Sequence, residues 1–278
     1  MALVKSFLIH LKTSRKYYIL IVAALILYIW LIETPAGLLG KLDAIGYAVC
    51  HRIDARSFHL GVRQLPLCAR CTGQYMGAVI GIIFQGLFAR RRSGFPSKRV
   101  IVLLSLFFLA YIVDGLNSYL YLPPFLRIFP WMPHLYEPSN VLRLFTGTGM
   151  GLIIASVLYP AFIGSVYIDP DTQPAIVGIK SMLIVSGFAI LVDLLILTGS
   201  KYVLNPAALI SASGVILLLT MAYTIIVLRI LRKENQFTRI SQILVPITFG
   251  LTIVIAQIAI FDLFRFIITG TWSGLIFG

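Results

Sequence analysis

Charged side chains are scarce in this sequence, which argues against a soluble globular protein. Only 12% of the 278 residues are Asp, Glu, Lys or Arg, whereas 59% are hydrophobic. The mean hydropathy is +0.95. Soluble domains are roughly one-quarter charged and about half apolar. The composition therefore predicts a protein with several membrane-spanning segments.

The sequence also lacks the regular apolar–polar alternation of a membrane β-barrel and has long apolar runs instead. A hydrocarbon core about 30 Å thick requires roughly 20 helical residues, and backbone amides must be satisfied within each span. We expect about seven helices, at residues 17–36, 72–89, 99–121, 141–163, 176–199, 206–229 and 240–267. The predicted fold is an all-α polytopic transmembrane helical bundle.

Acidic residues are outnumbered by basic ones, 10 against 23, but the positive charge does not form a nucleic-acid-binding pattern. The aromatic residues that nucleic-acid binders interleave with basic ones are missing. Basic residues cluster on one side of a seven-helix bundle: Lys5, Lys12, Arg15 and Lys16; Arg90, Arg91, Arg92, Lys98 and Arg99; and Arg229, Arg232, Lys233 and Arg239. By the positive-inside rule this side is cytoplasmic. We therefore expect membrane lipids, and no nucleic acid, as partners.

Two regions are indicated along the chain. Residues 1–163 contain four spans and a cysteine-bearing loop, and residues 164–278 contain three plainer spans. A cleavable signal is not indicated, because Glu33-Thr34-Pro35 follows the first apolar run where small residues would mark cleavage. We expect a multi-pass protein of the cytoplasmic (plasma) membrane, with a cytoplasmic N-terminus and the cysteine loop on the outer face.

Cysteine is limited to three residues, Cys50, Cys68 and Cys71, all in the loop between the first two spans. Thiolate and imidazole ligands suit zinc, and His51 completes a set of four. His59 is the alternative fourth ligand, because adjacent Cys50 and His51 side chains diverge. A closed set is usually structural, whereas an open position admits water or substrate. The loop therefore predicts a metal site with zinc as cofactor.

Two other interpretations of the cysteines stay open. In an oxidising compartment Cys68 and Cys71 could form a disulfide, with Cys50 as a third thiol that exchanges with it. Alternatively, all three are buried thiols that pack as small hydrophobic groups. The first alternative predicts a thiol count that changes with reductant while metal is absent.

The charged residues expected at membrane depth are Asp114, Arg143, Asp193, Asp262 and Arg265. Each costs at least about 2.5 kcal/mol at the centre of a bilayer, so each requires a partner or a function. Asp262 and Arg265 are three residues apart on one helix face, which favours a structural pair. Asp114 and Arg143 could also pair, although we favour a function for both.

Further polar residues accompany Asp114 and Arg143. Asn117 shares a helix face with Asp114, and both Asn140 and Thr146 share one with Arg143. Asp114, Arg143 and the other intramembrane charged residues fall in the outer halves of their spans under the expected topology. We therefore expect them to converge near the cysteine loop as an outward-opening polar site.

These residues belong to a longer pattern. It consists of Cys50-His51, Arg56-Ser57-Phe58, Gln64, Pro66 and Cys68-x-Arg70-Cys71-x-Gly73, then Asp114-Gly115, Asn140, Arg143 and Thr146-Gly147. The pattern resembles an uncharacterised family of bacterial and archaeal predicted membrane proteins, a domain of unknown function, over roughly residues 43–158. The resemblance implies a membrane protein and supplies candidate residues, but it implies no reaction.

The working hypothesis is a metal-dependent membrane enzyme acting on a lipid or other amphiphile at the outer leaflet. The metal on the cysteines, with His51 or His59, would hold water or polarise the substrate. The expected catalytic residues are Asp114, as general base or ligand-orienting group, with Asn117 and Arg143. Arg143, with Arg56 or Arg70, would bind an anionic head group, and Asn140 and Thr146 are further expected substrate-binding residues.

Two rival hypotheses come from different classes of protein. A membrane thiol–disulfide oxidoreductase would use Cys68 and Cys71 as its redox pair and a quinone as substrate. A non-catalytic transporter or membrane assembly subunit would use the intramembrane charges for transport or docking and the metal as a structural staple.

Overall fold

The computed structural model of the protein describes residues 21–128, 131–133 and 135–274. Within these residues the helices are α1 (Ile21–Glu33), α2 (Gly37–Val49), α3 (Ala69–Phe88), α4 (Lys98–Leu120), α5 (Pro123–Ile128), α6 (Asn140–Val166), α7 (Ile179–Leu197), α8 (Lys201–Ile230) and α9 (Leu244–Thr269). The strands are β1 (Ser57–Leu60), β2 (Arg63–Cys68), β3 (Arg92–Gly94) and β4 (Asp171–Pro174). The first basic cluster and the start of the first predicted span lie outside the described residues.

The predicted polytopic helical bundle is confirmed. Among the described residues, six helices are long and apolar enough to cross a membrane, and a seventh span results if α1 and α2 count as one. These two helices meet at 108°. The break falls at Pro35, which cannot donate the backbone hydrogen bond of a continuous helix, and at Gly37, whose φ is 78°. Helix α2 therefore occupies a segment that we expected to be loop.

Helices α3 and α6 pack backbone to backbone along a row of small residues. A methyl group on Gly77 would overlap with the main chain of Thr148, and one on Gly147 would overlap with the carbonyl of Arg70. Small residues of this kind allow membrane helices to approach closely. The contact fixes the start of α3, which carries Arg70, against the first turns of α6.

The connections α3–α4, α6–α7 and α8–α9 meet at one end of the bundle. Strand β3 pairs in parallel with β4, and the backbone N–H of Asn235 donates to the carbonyl of Ser165 at 2.9 Å. Arg91 donates to the carbonyl of Thr238 at 2.6 Å. The second and third basic clusters therefore share this end, which we call the basic end. The cysteines precede or begin α3 at the opposite end, about 30 Å away for a helix of this length.

Helices from both predicted regions, residues 1–163 and 164–278, contribute to the bundle. Helix α8 contacts α3 and α6, and α9 contacts α2. One hydrophobic cluster joins Leu144 of α6 to Met182 of α7 and Leu204 of α8. The last three spans therefore help to position the elements that carry the cysteines.

The cysteine loop folds as a β-hairpin, an element that was not predicted from the sequence. Strands β1 and β2 are antiparallel, with Ser57 opposite Cys68. The hairpin turn contains Gly61, whose φ of 62° favours glycine. The hairpin lies against α2, where a methyl group on Gly46 would overlap with the carbonyl of Pro66. This close contact brings the end of β2 beside the end of α2.

Candidate metal centre and adjoining polar site

Three structural elements bring the cysteines together. Cys50 follows the last residue of α2, Cys68 ends β2, and Cys71 lies in the first turn of α3. Their Sγ atoms all lie within 4.8 Å of one another, with Cys50 and Cys68 buried and Cys71 half-buried. Thiolates around a tetrahedral zinc, at about 2.3 Å each, are about 3.8 Å apart. The three cysteines could therefore hold a metal ion after small movements.

The surroundings of Cys50 favour its thiolate form. The backbone N–H groups of Arg52 and Cys68 each donate to the Cys50 Sγ at 3.4 Å. Hydrogen bonds from the Cys68 and Cys71 thiols, followed by these backbone bonds, hold the pKa of Cys50 well below its usual value. The pKa of Cys68 is raised to about 11, chiefly because it donates to Cys50. The cluster therefore stabilises one thiolate, the form in which cysteine binds metals.

An aspartate holds the loop in this arrangement. Asp43 of α2 forms ion pairs with Arg52 at 3.0 Å and with Arg63 at 2.5 Å. Arg52 has a φ of 50°, a strained value for a residue other than glycine. The two ion pairs join α2 to both ends of the segment between Cys50 and β2. No regular spacing in the sequence relates these three residues, so they were not among the predicted site residues.

The predicted pair of Asp262 and Arg265 is wrong. No ion pair links them in the described part of the chain, and Asp262 accepts a hydrogen bond from Trp30 Nε1 at 2.8 Å. Arg265 instead donates to the carbonyls of Tyr47, Cys50 and His51, at 2.6, 2.5 and 3.1 Å. Terminal helix carbonyls have no partner within their own helix. Arg265 therefore caps α2 and positions the chain on both sides of Cys50.

The two histidines of the loop occupy different surroundings. The His59 ring lies 2.9 Å from the carboxylate of Asp54. His51 is half-buried, and burial lowers the pKa of its ring below the usual value, although the nearby Cys68 opposes this effect. A neutral imidazole is the metal-binding form. Among the described residues neither ring belongs to the group of donors within 4.8 Å, so the role of either as fourth ligand stays a prediction.

Asp114 is the centre of a buried polar network. Its carboxylate forms an ion pair with Arg70 and accepts hydrogen bonds from Tyr136 at 3.1 Å and Thr146 at 3.2 Å. Burial is the main cause, and the Asp114 charge the second, that raises the pKa of Tyr136 to about 12. The Tyr136 hydroxyl therefore stays protonated and donates to Asp114. The partner of Asp114 is thus Arg70 and not Arg143, because the first turn of α3 packs against α6 beside it.

The other predicted polar residues also lie at this end of the bundle. Asn117 donates to the carbonyl of Tyr136 at 2.8 Å. Asn140 donates to the carbonyl of Ser57 at 3.4 Å and accepts a hydrogen bond from Arg143 at 2.8 Å. The structure therefore brings together the polar residues of α4 and α6 with the cysteine loop. Their roles in catalysis or substrate binding stay predictions.

Two cavities adjoin these residues. The first, which we call the arginine cavity, measures about 540 Å³ and is lined by Arg56, Leu122, Pro123, Glu137 and Arg143 among others. The second, which we call the apolar cavity, measures about 330 Å³ and lies between α2 and α9. Its lining includes Tyr47, Cys50, Phe261, Phe264 and Arg265. Cys50 thus forms part of the wall of the apolar cavity.

Comparison with known proteins identifies relatives of the segment that carries the site. A family model described as a predicted membrane protein (DUF2085) matches residues 50–157, close to the expected 43–158. The uncharacterized protein MJ1492 of Methanocaldococcus jannaschii is 26% identical over 168 residues, which cover 55% of this chain and 97% of that protein. An uncharacterized protein of Methanothermobacter thermautotrophicus is 30% identical over 107 residues, 38% of this chain and 81% of its own. No solved structure matches the chain. The chain therefore belongs to the family of predicted membrane proteins described as DUF2085.

Proposed function

We propose that the protein is a metal-dependent membrane enzyme that holds zinc on Cys50, Cys68 and Cys71. The observation that carries the proposal is the grouping of three thiols, from three separate elements, within 4.8 Å. Soft thiolate ligands favour zinc over magnesium or calcium. Three protein ligands with an open fourth position are typical of catalytic zinc sites, in which the metal acts as a Lewis acid.

The apolar cavity supports an amphiphilic substrate. Cys50 contributes to its wall, and so does Phe264, which is 62% exposed. A large exposed aromatic residue on a membrane-spanning helix is in contact with lipid. An acyl or isoprenoid chain can therefore enter between α2 and α9 from the bilayer and reach the metal centre without crossing water.

The buried polar network supports a positioning role for Asp114. Each of its carboxylate oxygens accepts at least one hydrogen bond, and the Arg70 guanidinium balances its charge. Arg70 stands between two proposed ligands, Cys68 and Cys71, so Asp114 orients the turn that presents them. Of the two roles expected for Asp114, the network supports ligand orientation better than general base catalysis.

The distribution of basic residues supports an outer location of the metal centre. The basic end contains Arg90 to Arg92 and Arg229 to Arg239, and the cysteines lie at the other end. By the positive-inside rule the basic end faces the cytoplasm. The enzyme would then act on molecules of the outer leaflet of the plasma membrane, with membrane lipids or a quinone within reach.

The first test is the metal content of the protein purified in detergent without chelators. Wild type is expected to contain about one zinc per chain, and the Cys68→Ser/Cys71→Ser variant none. His59→Ala, on the exposed side of the loop, is the control and should keep its metal. His51→Ala will show whether this ring is the fourth ligand. Metal in neither wild type nor variant would refute the zinc site.

The same preparations separate the rival functions. A thiol count that changes with reductant, in protein without metal, would favour thiol–disulfide exchange. Lipid vesicles incubated with wild type should show chemical change of a lipid species by mass spectrometry, and the double variant should not. A metal-containing protein that leaves every lipid unchanged would favour a structural metal in a non-catalytic subunit.

Replacing Arg265 with glutamine is expected to weaken zinc binding without removing a ligand. The substitution leaves three carbonyls around Cys50 without their cationic cap. Residues that orient metal ligands typically contribute about 10–100-fold to metal affinity. Competition with a chromophoric chelator would measure the change. The exposed Arg229→Gln variant at the basic end is the matched control, and equal affinity in the two variants would contradict the positioning role.

A further inference from the structure

The arginine cavity is lined by two buried arginines that form an ion pair with none of the described acids. Arg56 and Arg143 are each only 6% exposed and both line the cavity. Arg70, the third arginine of this region, is balanced by Asp114. Neither Arg56 nor Arg143 forms an ion pair with any residue that the structure describes. The region therefore has two positive charges that the described residues do not neutralise.

Both guanidinium groups keep most of their hydrogen-bond donors available. Arg56 donates to the carbonyl of Ser118 at 2.5 Å and lies 5.9 Å from the Tyr119 ring. Arg143 donates to Asn140 at 2.8 Å, and its buried Nε has no partner among the described residues. A guanidinium carries five N–H donors. Among the described residues, several donors at each arginine have no partner, so they can bind an acceptor in the cavity.

Buried cations of this kind are costly unless an anion joins them. Charged groups are rarely buried without a partner, because desolvation of the ion is not repaid. Glu137 lines the same cavity, but it is exposed and pairs with neither arginine. The planar fork of donors in arginine matches the oxygens of carboxylates and phosphates. An oxyanion from outside the chain is the partner that this arrangement fits.

We infer that the arginine cavity binds a phosphate-class oxyanion through Arg56 and Arg143. A phosphate carries up to two negative charges and so balances both arginines, whereas a carboxylate leaves one unbalanced. The cavity volume of about 540 Å³ exceeds that of a phosphate group, and Leu122 and Pro123 supply apolar wall for an attached group. The inference deepens the proposed function, because it names the charged group of the substrate.

The test is equilibrium binding to the full-length purified protein, with two probes. The first probe is radiolabelled inorganic phosphate, and the second is phosphatidic acid in mixed micelles with neutral detergent. Saturable binding of at least one is expected, and the probe that binds more tightly distinguishes a lipid headgroup from free phosphate. Arg56→Gln and Arg143→Gln should each raise the Kd about tenfold or more, since each removes charge-assisted hydrogen bonds.

Three further variants control for folding and for charge. Arg143→Lys keeps the charge but loses the fork, and should also weaken binding about tenfold. Glu137→Gln removes the acid of the cavity and should tighten binding. Arg90→Gln, an exposed arginine at the basic end, should bind as wild type does. Thermal denaturation of each variant shows whether it is folded.

Several results would overturn the inference. They are the absence of saturable binding for both probes, a Kd unchanged in both glutamine variants, and equal affinity for oleate, which carries a carboxylate. The Cys68→Ser/Cys71→Ser variant keeps this test separate from the metal test, because neither cysteine lines the arginine cavity. Phosphate binding by a protein that contains no zinc would support this inference and contradict the proposed enzyme. Zinc in a protein that binds no phosphate would support the proposed enzyme and contradict this inference.

Discussion

Replacing Asp114 with alanine is expected to destabilise the folded protein by about 3–5 kcal/mol, because Arg70 then lies buried without a counter-charge. Asp114 is 1% exposed and Arg70 is 9% exposed, so water cannot replace the lost carboxylate. Tyr136 and Thr146 lose an acceptor in the same variant. Thermal denaturation in detergent, followed by size-exclusion chromatography, measures the effect.

Two variants complete this experiment. Asp169→Ala removes an exposed acid at the basic end and should change stability little. The double variant Arg70→Met/Asp114→Leu removes both charges, so it should be more stable than Asp114→Ala despite carrying one more substitution. If Asp114→Ala denatured at the same temperature as Asp169→Ala, the ion pair would not be the stabilising element that its burial indicates.

The second large effect is an all-or-none difference in labelling across the membrane. Val62, at the turn between β1 and β2, and Phe95, in the α3–α4 connection, are both exposed apolar residues at opposite ends of the bundle. A membrane-impermeant maleimide should label Val62→Cys in intact cells. It should label Phe95→Cys only after the membrane is permeabilised, because the basic end is expected to face the cytoplasm.

Wild type treated in parallel reports any reaction of the three native cysteines. Cys50 and Cys68 are buried, so their background should be low. Labelling of Phe95→Cys, and not of Val62→Cys, in intact cells would place the metal centre in the cytoplasm. The redox interpretation of the cysteines would then lose its oxidising compartment.

The spans were predictable because a bilayer imposes one strong requirement, about 20 apolar residues in sequence. The local structure between the first two spans was not, because α2 and the hairpin are short and depend on contacts distant in sequence. Gly46 against Pro66 is such a contact. Only the position of α2 makes a small residue necessary there, and the sequence alone does not supply that position.

The residues of the candidate site were predictable from the sequence, but the contacts that each of them makes were not. Composition singled out the cysteines, and charges within apolar runs singled out Asp114, Arg143 and Arg265. Helical spacing relates residues on one helix, so it suggested Asp262 as the partner of Arg265. The true partners are carbonyls in the last turn of α2 and directly after it. Long arginine side chains reach several ångströms beyond their own helix, and only the packing of helices decides what they meet.

The close packing of α3 on α6 holds two of the three cysteines of the candidate metal centre, and the third cysteine is held by a different pair of helices. Cys68 and Cys71 move with α3, and α3 cannot slide along α6 without a clash at Gly77 and Gly147. Cys50 is attached instead to α2, which Arg265 fastens to α9. An ion bound by all three sulfurs would therefore add a link between α2 and the start of α3, beside the contact of Gly46 with Pro66. Metal loading would then reinforce, at this end of the bundle, the attachment of the α2–α9 pair to the α3–α6 pair.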